Sequence, residues 1–379
     1  MLVYEYKLDG NVHQYQAIDE AIRTVQFVRN KCLRLWMDGE HVSKNDLQTY
    51  CAVLAKEYPF ASRLNSQTRQ ASADRAWSAI QRFYDNCCEH KPGKKGYSRF
   101  QHDNRSVEYK QTGWKLGPDG KHITFTDGCG IGRLRLVGNK KQQVAAFPVK
   151  QIKRVRLLKR ADGYYVQFAV QTARKLEHEV TGAQIGIDVG LKEFYTDSNG
   201  NTVANPRFLR KAEQKIKRLH RRFSRTQKKS ANRKKARQRL AKAYLKVNRQ
   251  REDFARKEAS TLISSHDLIA YEDLKIDNLV RNHSLAKSIN DACWGCFLQW
   301  VKYYGMLHAI PVVEVAPQFT SQDCSGCGRT VKKSLSERTH SCVHCGLVLD
   351  RDHNAAKNIL KKAIGRTVGH TGTDTPPRV

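Results

Sequence analysis

Two cysteine pairs toward the C-terminal end constrain this chain more than any other feature. Cys324-Ser-Gly-Cys327 and Cys342-Val-His-Cys345 form C-x2-C, fourteen residues, C-x2-C. Each pair spans a tight knuckle, and Gly326, Gly328 and Gly346 supply the backbone freedom such turns require. Four thiolates close a tetrahedral shell around Zn2+ and leave no open position for a substrate. The spacing therefore predicts a structural zinc site at Cys324, Cys327, Cys342 and Cys345, and it is no evidence for zinc catalysis. His340 and His344 remain as groups behind the ligands or on the surface. Eleven cysteines, an odd count, read as thiols and ligands in a reducing compartment rather than as disulfides. A further C-x2-C, Cys293-Trp-Gly-Cys296, has no second pair nearby. It lies in a run with helical apolar spacing and reads as two buried thiols within a helix.

The charge balance points to a polyanionic partner. Lys and Arg number 68 against 36 acids, a formal net charge of +32. That excess favours nucleic acid first and an anionic membrane second, well beyond what solubility needs. No apolar run is long enough to span a bilayer. The opening "MLVYEYKLDG" lacks a basic stretch followed by an apolar one, so no secretory leader is expected. A cytoplasmic, nucleoid-associated location is the resulting expectation.

Periodicity divides the chain. Leu2, Tyr4, Tyr6 and Leu8 alternate as in a strand. From about Gln14 to Cys88 the apolar spacing turns helical. "EHKPGKKGYSRF" breaks it, and short alternating runs follow to about Thr172, an antiparallel β pattern in which "LLKRADGYYVQFAV" is a hairpin turning at Ala161-Asp162-Gly163. "AQIGIDVG" then opens a new unit, with a second hairpin signalled by Asn199-Gly200. From Pro206 to about Ser264 runs a helical stretch in which roughly twenty residues are Lys or Arg, including Arg221 and Arg222. Too few acids pair with these charges for a helix that ignores polyanions. "HDLIAYEDL" and "AIPVVEVAP" are further apolar strands, and the final fifteen residues, 365–379, have a disordered composition.

Several acids stand where apolar segments end. Asp188 closes "QIGID", Glu272 closes "LIAYE", and Asp350 and Asp352 precede "HNAAKNILKKAIG", whose Ala355, Ala356, Ile359, Leu360 and Ala363 make one apolar helix face. One such acid is a cap or turn residue in most proteins. Three converging from two strands and a helix would hold a pair of Mg2+ ions, the hard cations that carboxylates select and that phosphodiester cleavage uses.

The phrases "GIDVGLKEF", "YEDLKIDNL", "LAKSINDACWG", "CSGCG…CVHCG" and "LDRDHNAAKNIL" together resemble TnpB, the RNA-guided nuclease family of insertion sequences, a relative of compact type V CRISPR effectors. The resemblance covers about 180–364 and is looser before that, where Ser98 in "GYSRF" replaces a proline common in the family. It implies an α+β multidomain fold: a wedge-like β-barrel from 1–11 and 98–179, interrupted by a helical recognition insertion at 12–97. An RNase H-like, RuvC-type nuclease domain follows at 180–320 and 347–364, with a zinc-binding insertion at 321–346. It implies that Asp188, Glu272 and Asp352 are catalytic and bind two Mg2+ ions, with Asp350 a loop acid and Asp273 and Asp277 cap or surface residues. It also implies a guide RNA and a double-stranded target DNA as partners, with a short motif beside the target read by protein. Gln67, Thr68 and Gln70 on the helix "LNSQTRQASADRAW" are candidates for that reading, and Tyr97 and Phe100 for base stacking. A DDE-type transposase would order its acids Asp, Asp, Glu; the order here is Asp, Glu, Asp. A guided repressor that no longer cuts would not be expected to keep all three, and a plain zinc-ribbon DNA binder leaves the strand-end acids unexplained. A compact CRISPR effector is the remaining alternative.

Overall fold

A computed structural model describes residues 1–138, 144–172, 176–334 and 337–368. The chain divides into two compact units, Met1–Ala173 and Arg174–Val379.

The first unit is built on a seven-stranded antiparallel sheet in the order β2-β6-β7-β1-β5-β4-β3. Its strands are β1 (Leu2–Asp9), β2 (Ser106–Tyr109), β3 (Trp114–Leu116), β4 (His122–Phe125), β5 (Gly132–Val137), β6 (Ile152–Arg160) and β7 (Gly163–Val170). The alternation of the first residues is that of a strand, with Tyr6 and Leu8 turned into the core and Val3 outward. The end strands β2 and β3 do not pair with each other among the described residues. The expected barrel is therefore a curled sheet, not a hydrogen-bonded closed one. The curl still brings its two ends onto one core: the Tyr109 ring on β2 lies 4.9 Å from Phe125 on β4. The β6–β7 hairpin turns on Ala161 and Asp162 alone, because Gly163 already pairs with Arg160.

The helical insertion is a bundle of helices Val12–Asp38, Lys44–Glu57 and Ser66–Cys88, with a single turn at Pro59–Ser62. Its first helix starts at a capping box in which Gln14 N–H donates to Asn11 Oδ1 at 2.9 Å and Asn11 N–H to Gln14 Oε1 at 3.0 Å. Val28, Leu33, Leu47, Leu54, Ala76 and Ile80 make its separate core.

The second unit holds a five-stranded sheet in the order β10-β9-β8-β11-β12: β8 (Gln184–Val189), β9 (Glu193–Asp197), β10 (Thr202–Ala204), β11 (Leu268–Glu272) and β12 (Val312–Val315). β8, β11 and β12 are parallel, and β9 and β10 are antiparallel additions. Strand alternation gives the sheet two apolar faces. Ile185, Ile187, Ile269 and Tyr271 pack under helices Ala231–Ser265 and Trp294–His308. Leu268, Ala270 and Val315 pack under the last helix, Arg351–Val368, through Ile359 and Ala363. That helix does not end at Gly365, because nothing before Val368 breaks it; residues 369–379 of the expected tail lie outside the described residues. The basic stretch is two helices, Phe208–Ser224 and Ala231–Ser265. No helix among the described residues is long and apolar enough to cross a membrane.

Candidate functional site

Strand parity places the first two acids together. Tyr271 on β11 is in register with Ile187 on β8, so Glu272 follows the ladder to Asp188 on the parallel neighbour. Both side chains point to the face opposite Ile187 and Tyr271, which is the face under the last helix.

Gly186 brings that helix close. A Cβ there would stand 2.3 Å from the Ala356 carbonyl oxygen and 2.8 Å from Leu360 N, so only glycine allows the backbones to approach. Asp188 lies two residues further along β8, about 6.6 Å, and Asp352 lies one helical turn before Ala356, about 5.4 Å. The helix therefore delivers Asp352 to the end of β8: its Oδ2 is 3.9 Å from where a Cβ on Gly190 would be. His353 seats the helix start on the hairpin turn, its Nε2 3.2 Å from the Ser198 carbonyl oxygen.

The electrostatics follow from this crowding. Burial pushes the Asp188 carboxyl well above the usual carboxylate range, and the charges of Glu272 and Asp352 push it further, against the opposing pull of Arg351. Burial also raises Glu272, partly offset by the Thr320 hydroxyl that donates to its Oε1 and by Lys362. Asp352 is held by Arg351, whose Nε and Nη2 both lie 3.2 Å from Oδ1, and by Arg338 Nη1 at 3.6 Å from Oδ2. Asp350 ends a short strand, Val348–Asp350, and caps the helix, accepting from Asp352 N–H at 2.8 Å. Asp273 pairs with Lys275 at 2.7 Å, and Asp277 lies in the first turn of a short helix, Ile276–Leu279.

The four cysteines meet. One ligand sulfur from each of Cys324, Cys327, Cys342 and Cys345 lies within 4.8 Å of the others. The two knuckles are built alike. Gly328 N–H donates to the Cys324 carbonyl at 2.8 Å and Gly346 N–H to that of Cys342 at 2.9 Å, with both glycines at positive φ. Cys324 and Cys342 are buried while Cys327 and Cys345 are exposed. The sulfur set and spacing fit Zn2+. His340 is fully buried beside Lys333 and so is not a surface group, whereas His344 is exposed and touched by Arg329.

The second knuckle caps a hairpin of β13 (Thr339–Ser341) and β14 (Val348–Asp350), and Arg351 N–H extends it by donating to the Arg338 carbonyl at 2.7 Å. The first knuckle is tied to the last helix by two buried asparagines one turn apart. Asn354 accepts from Ser325 N–H at 2.9 Å and donates to the Asp323 carbonyl at 2.8 Å. Asn358 donates to the carbonyls of Thr320 and Asp323 at 2.8 and 2.7 Å. Thr320, Asn354 and Asn358 escaped sequence reading. The available signal was two asparagines spaced four apart on an otherwise apolar helix face.

The surface candidates separate. Thr68 is fully buried and faces the protein interior, so it is not a reader of DNA. Gln67 is engaged inside its own unit, its Oε1 accepting from Gln111 and Thr112 N–H at 3.1 and 3.2 Å. Gln70 is half-buried. Tyr97 is exposed but packs edge-on against Phe83, and Phe100 carries Arg34 over its ring at 4.8 Å. Arg221 and Arg222 are exposed in the last turn of their helix. The Cys293–Cys296 pair is not within one helix: Cys293 sits in the left-handed region between two helices, Cys296 lies in the first turn of the second, and both residues are only half-buried.

Residues 167–283 match the family model OrfB_IS605, described as probable transposase, and residues 294–359 match the Cas12f1-like TNB domain. A putative RNA-guided DNA endonuclease of Streptomyces pristinaespiralis is 36% identical over 186 residues, 48% of this chain and 46% of that protein. The putative RNA-guided DNA endonuclease InsQ of Escherichia coli (strain K12) is 26% identical over 233 residues, 57% of this chain and 58% of that protein. The chain thus spans about half the length of the curated relatives it matches. Among solved structures, the mini-RNA-guided endonuclease CRISPR-Cas_phi3 has a similar fold, with a TM-score of 0.58 at 10% identity over 96% of this chain and 92% of that one. The mixed α/β fold is therefore that of compact Cas12-type effectors, and the matches bear out the resemblance to the TnpB family read from the motifs.

Proposed function

We propose that this protein is an RNA-guided DNA endonuclease whose second unit is an RNase H-like, RuvC-type nuclease with an inserted zinc ribbon. The observation that carries this reading is the convergence of Asp188, Glu272 and Asp352 at the end of one sheet, where burial and then the charges of the other two acids raise Asp188. Crowded carboxylates of this kind call for cations. Oxygen donors fit Mg2+, and Asp188, Glu272 and Asp352 would hold it. When bound, a divalent pair supplies an activated water and stabilises the leaving oxygen of a phosphodiester.

The chain's own residues set the geometry for that chemistry. β8 and β11 fix Asp188 and Glu272 in register, and Thr320 orients Glu272 by donating to it. The zinc ribbon delivers Asp352, because its hairpin runs directly into the last helix. Arg338 and Arg351 pair with Asp352 and orient the carboxylate that would ligate a cation. The exposed Lys and Arg of helices Phe208–Ser224 and Ala231–Ser265 match a phosphate backbone, and the partners in this reading are a guide RNA and a double-stranded target DNA.

The test compares neighbouring acids. Asp352→Ala should abolish cleavage of a guide-matched DNA while co-purifying RNA is retained. Asp350→Ala should cost about 1 kcal/mol of helix capping and leave cleavage in place. Equal loss in both, with both folded, would sink the assignment of Asp352.

A further inference from the structure

We propose that Cys293 and Cys296 form a redox-active dithiol that exchanges with small-molecule disulfides and closes a reversible intramolecular bond at the joint between two helices. The chain passes from helix His283–Ala292 into helix Trp294–His308 through Cys293 alone, at φ 59° and ψ 39°. This residue ends one helix and caps the next. Cys296 N–H donates to the Cys293 carbonyl at 3.0 Å, winding both cysteines into one tight turn. A turn closed by that bond keeps the two Cα atoms within about 7 Å of each other, the reach of a disulfide.

Access distinguishes this pair. Cys32 and Cys51 also share one cluster, but both are buried in the core of the helical bundle. Cys293 and Cys296 are half-exposed, while Trp294 and Phe297 are buried and pin the turn so that the sulfurs stay at the surface. The neighbouring Cys296 thiol and the Arg251 charge hold the Cys293 thiol below its ordinary range, with burial and Glu252 opposing. Cys293 is thus the attacking sulfur and Cys296 the resolving one.

The exchange balances without further reagents. The Cys293 thiolate attacks one sulfur of a disulfide RSSR, breaking its S–S bond and releasing RS−. Cys296, losing its proton, attacks the Cys293 sulfur of the mixed disulfide and expels the second RS−. Two protein thiols give up two electrons and two protons, and the small disulfide takes them as two thiols. The new bond lies two residues from Asp291, which accepts from Leu209 and Arg210 N–H at 2.8 and 3.0 Å and pairs with Arg251 at 2.9 Å. Redox state therefore reaches the footing of both basic helices.

The 379-residue protein, purified with zinc, is equilibrated in buffers of reduced and oxidised glutathione, acid-quenched, alkylated and mapped by mass. The expected result is a Cys293–Cys296 peptide lighter by two hydrogens and restored by dithiothreitol, at oxidant levels that leave zinc bound and Cys32 and Cys51 alkylatable. Cys296→Ser should trap glutathione on Cys293. Both cysteines staying fully alkylatable in oxidised glutathione, or no glutathione adduct on Cys293 in the folded Cys296→Ser variant, would overturn the proposal.

Discussion

Glu108 on β2 and Asp188 on β8 are both carboxylates tucked into strands, one in each unit, and their surroundings drive them in opposite directions. Burial alone would raise Glu108, but Arg156 and Arg154, with guanidinium nitrogens at 2.7 and 2.6 Å, outweigh it and hold the carboxyl below its usual range. Asp188 meets burial together with two further acids, and it is raised. The first arrangement is complete: the charge has its partners and the strand pair β2–β6 is clamped. The second sets like charges against one another, and in the proposed reading bound cations would offset them. A buried acid on a strand therefore tells little until its neighbours are counted.

The largest test of this contrast exchanges the charge for an amide at each position. Asp188→Asn should lower the cleavage rate by about 10^3-fold, since metal-held charge stabilisation is worth several kcal/mol. The same change should leave metal-free thermal stability unchanged or raised, because it removes repulsion. Glu108→Gln should do the reverse. Unfolding free energy should drop by about 1–2 kcal/mol, a modest loss because Arg154 and Arg156 are half-exposed, and the folded fraction should still cut. Calorimetry beside a cleavage assay reads both, and a stability loss in Asp188→Asn matching that of Glu108→Gln would erase the distinction.

Zinc removal sharpens the same contrast inside the second unit. The ribbon leads directly into the helix bearing Asp352, and Asn354 and Asn358 bind the first knuckle to that helix. Stripping zinc with a strong chelator should abolish cleavage in step with zinc release, and added Mg2+ should not restore it until zinc returns. Cleavage surviving complete zinc loss would show that the helix holds Asp352 without the ribbon.

These features were unequally legible in the sequence. The four-cysteine cluster and the strand-end acids could be read because each rests on local spacing: a C-x2-C knuckle, or an apolar run that ends in a carboxylate. The clamp on Glu108 could not. Its arginines lie 46 and 48 residues away, and only the β2–β6 register brings them opposite. Thr320, Asn354 and Asn358 were silent for the same reason: Thr320 donates to Glu272 48 residues away, and the asparagines meet backbone groups of the loop that carries the first cysteine pair. Thr68 and Gln67 are polar residues on an expected helix, and polarity alone made them candidates for reading DNA. Helix Ser66–Cys88 instead buries Thr68 and turns Gln67 toward the loop at Gln111 and Thr112. Period identifies a face but not what the rest of the chain lays over it.

A smaller effect follows from the depressed Glu108. A carboxyl lowered in the folded state contributes stability that is fully present above its unfolded pKa, about 4.3 for glutamate, and is lost as pH falls through the folded value. The difference in unfolding free energy between the native protein and Glu108→Gln should therefore be flat from pH 8 to about 5 and should shrink below that. Urea melts across this range test it, and a difference that instead grows with acid would mean the arginines do not set the Glu108 charge.

The smallest expected effect belongs to Thr320, which separates the two kinds of acid most finely. Glu108 is fixed by two charged partners, whereas Glu272 takes one hydroxyl donor, and that hydroxyl is positioned because Asn358 holds the Thr320 carbonyl at 2.8 Å. Thr320→Val keeps the shape and deletes the donor. One hydrogen bond is worth about 0.5–1.5 kcal/mol, so single-turnover cleavage should slow by up to about tenfold, and more divalent metal should be needed for half-maximal rate. Thr320→Ser should restore both. A rate loss in Thr320→Val that serine fails to rescue would point to packing at the buried methyl group, and would leave the orientation of Glu272 to the β11 backbone alone.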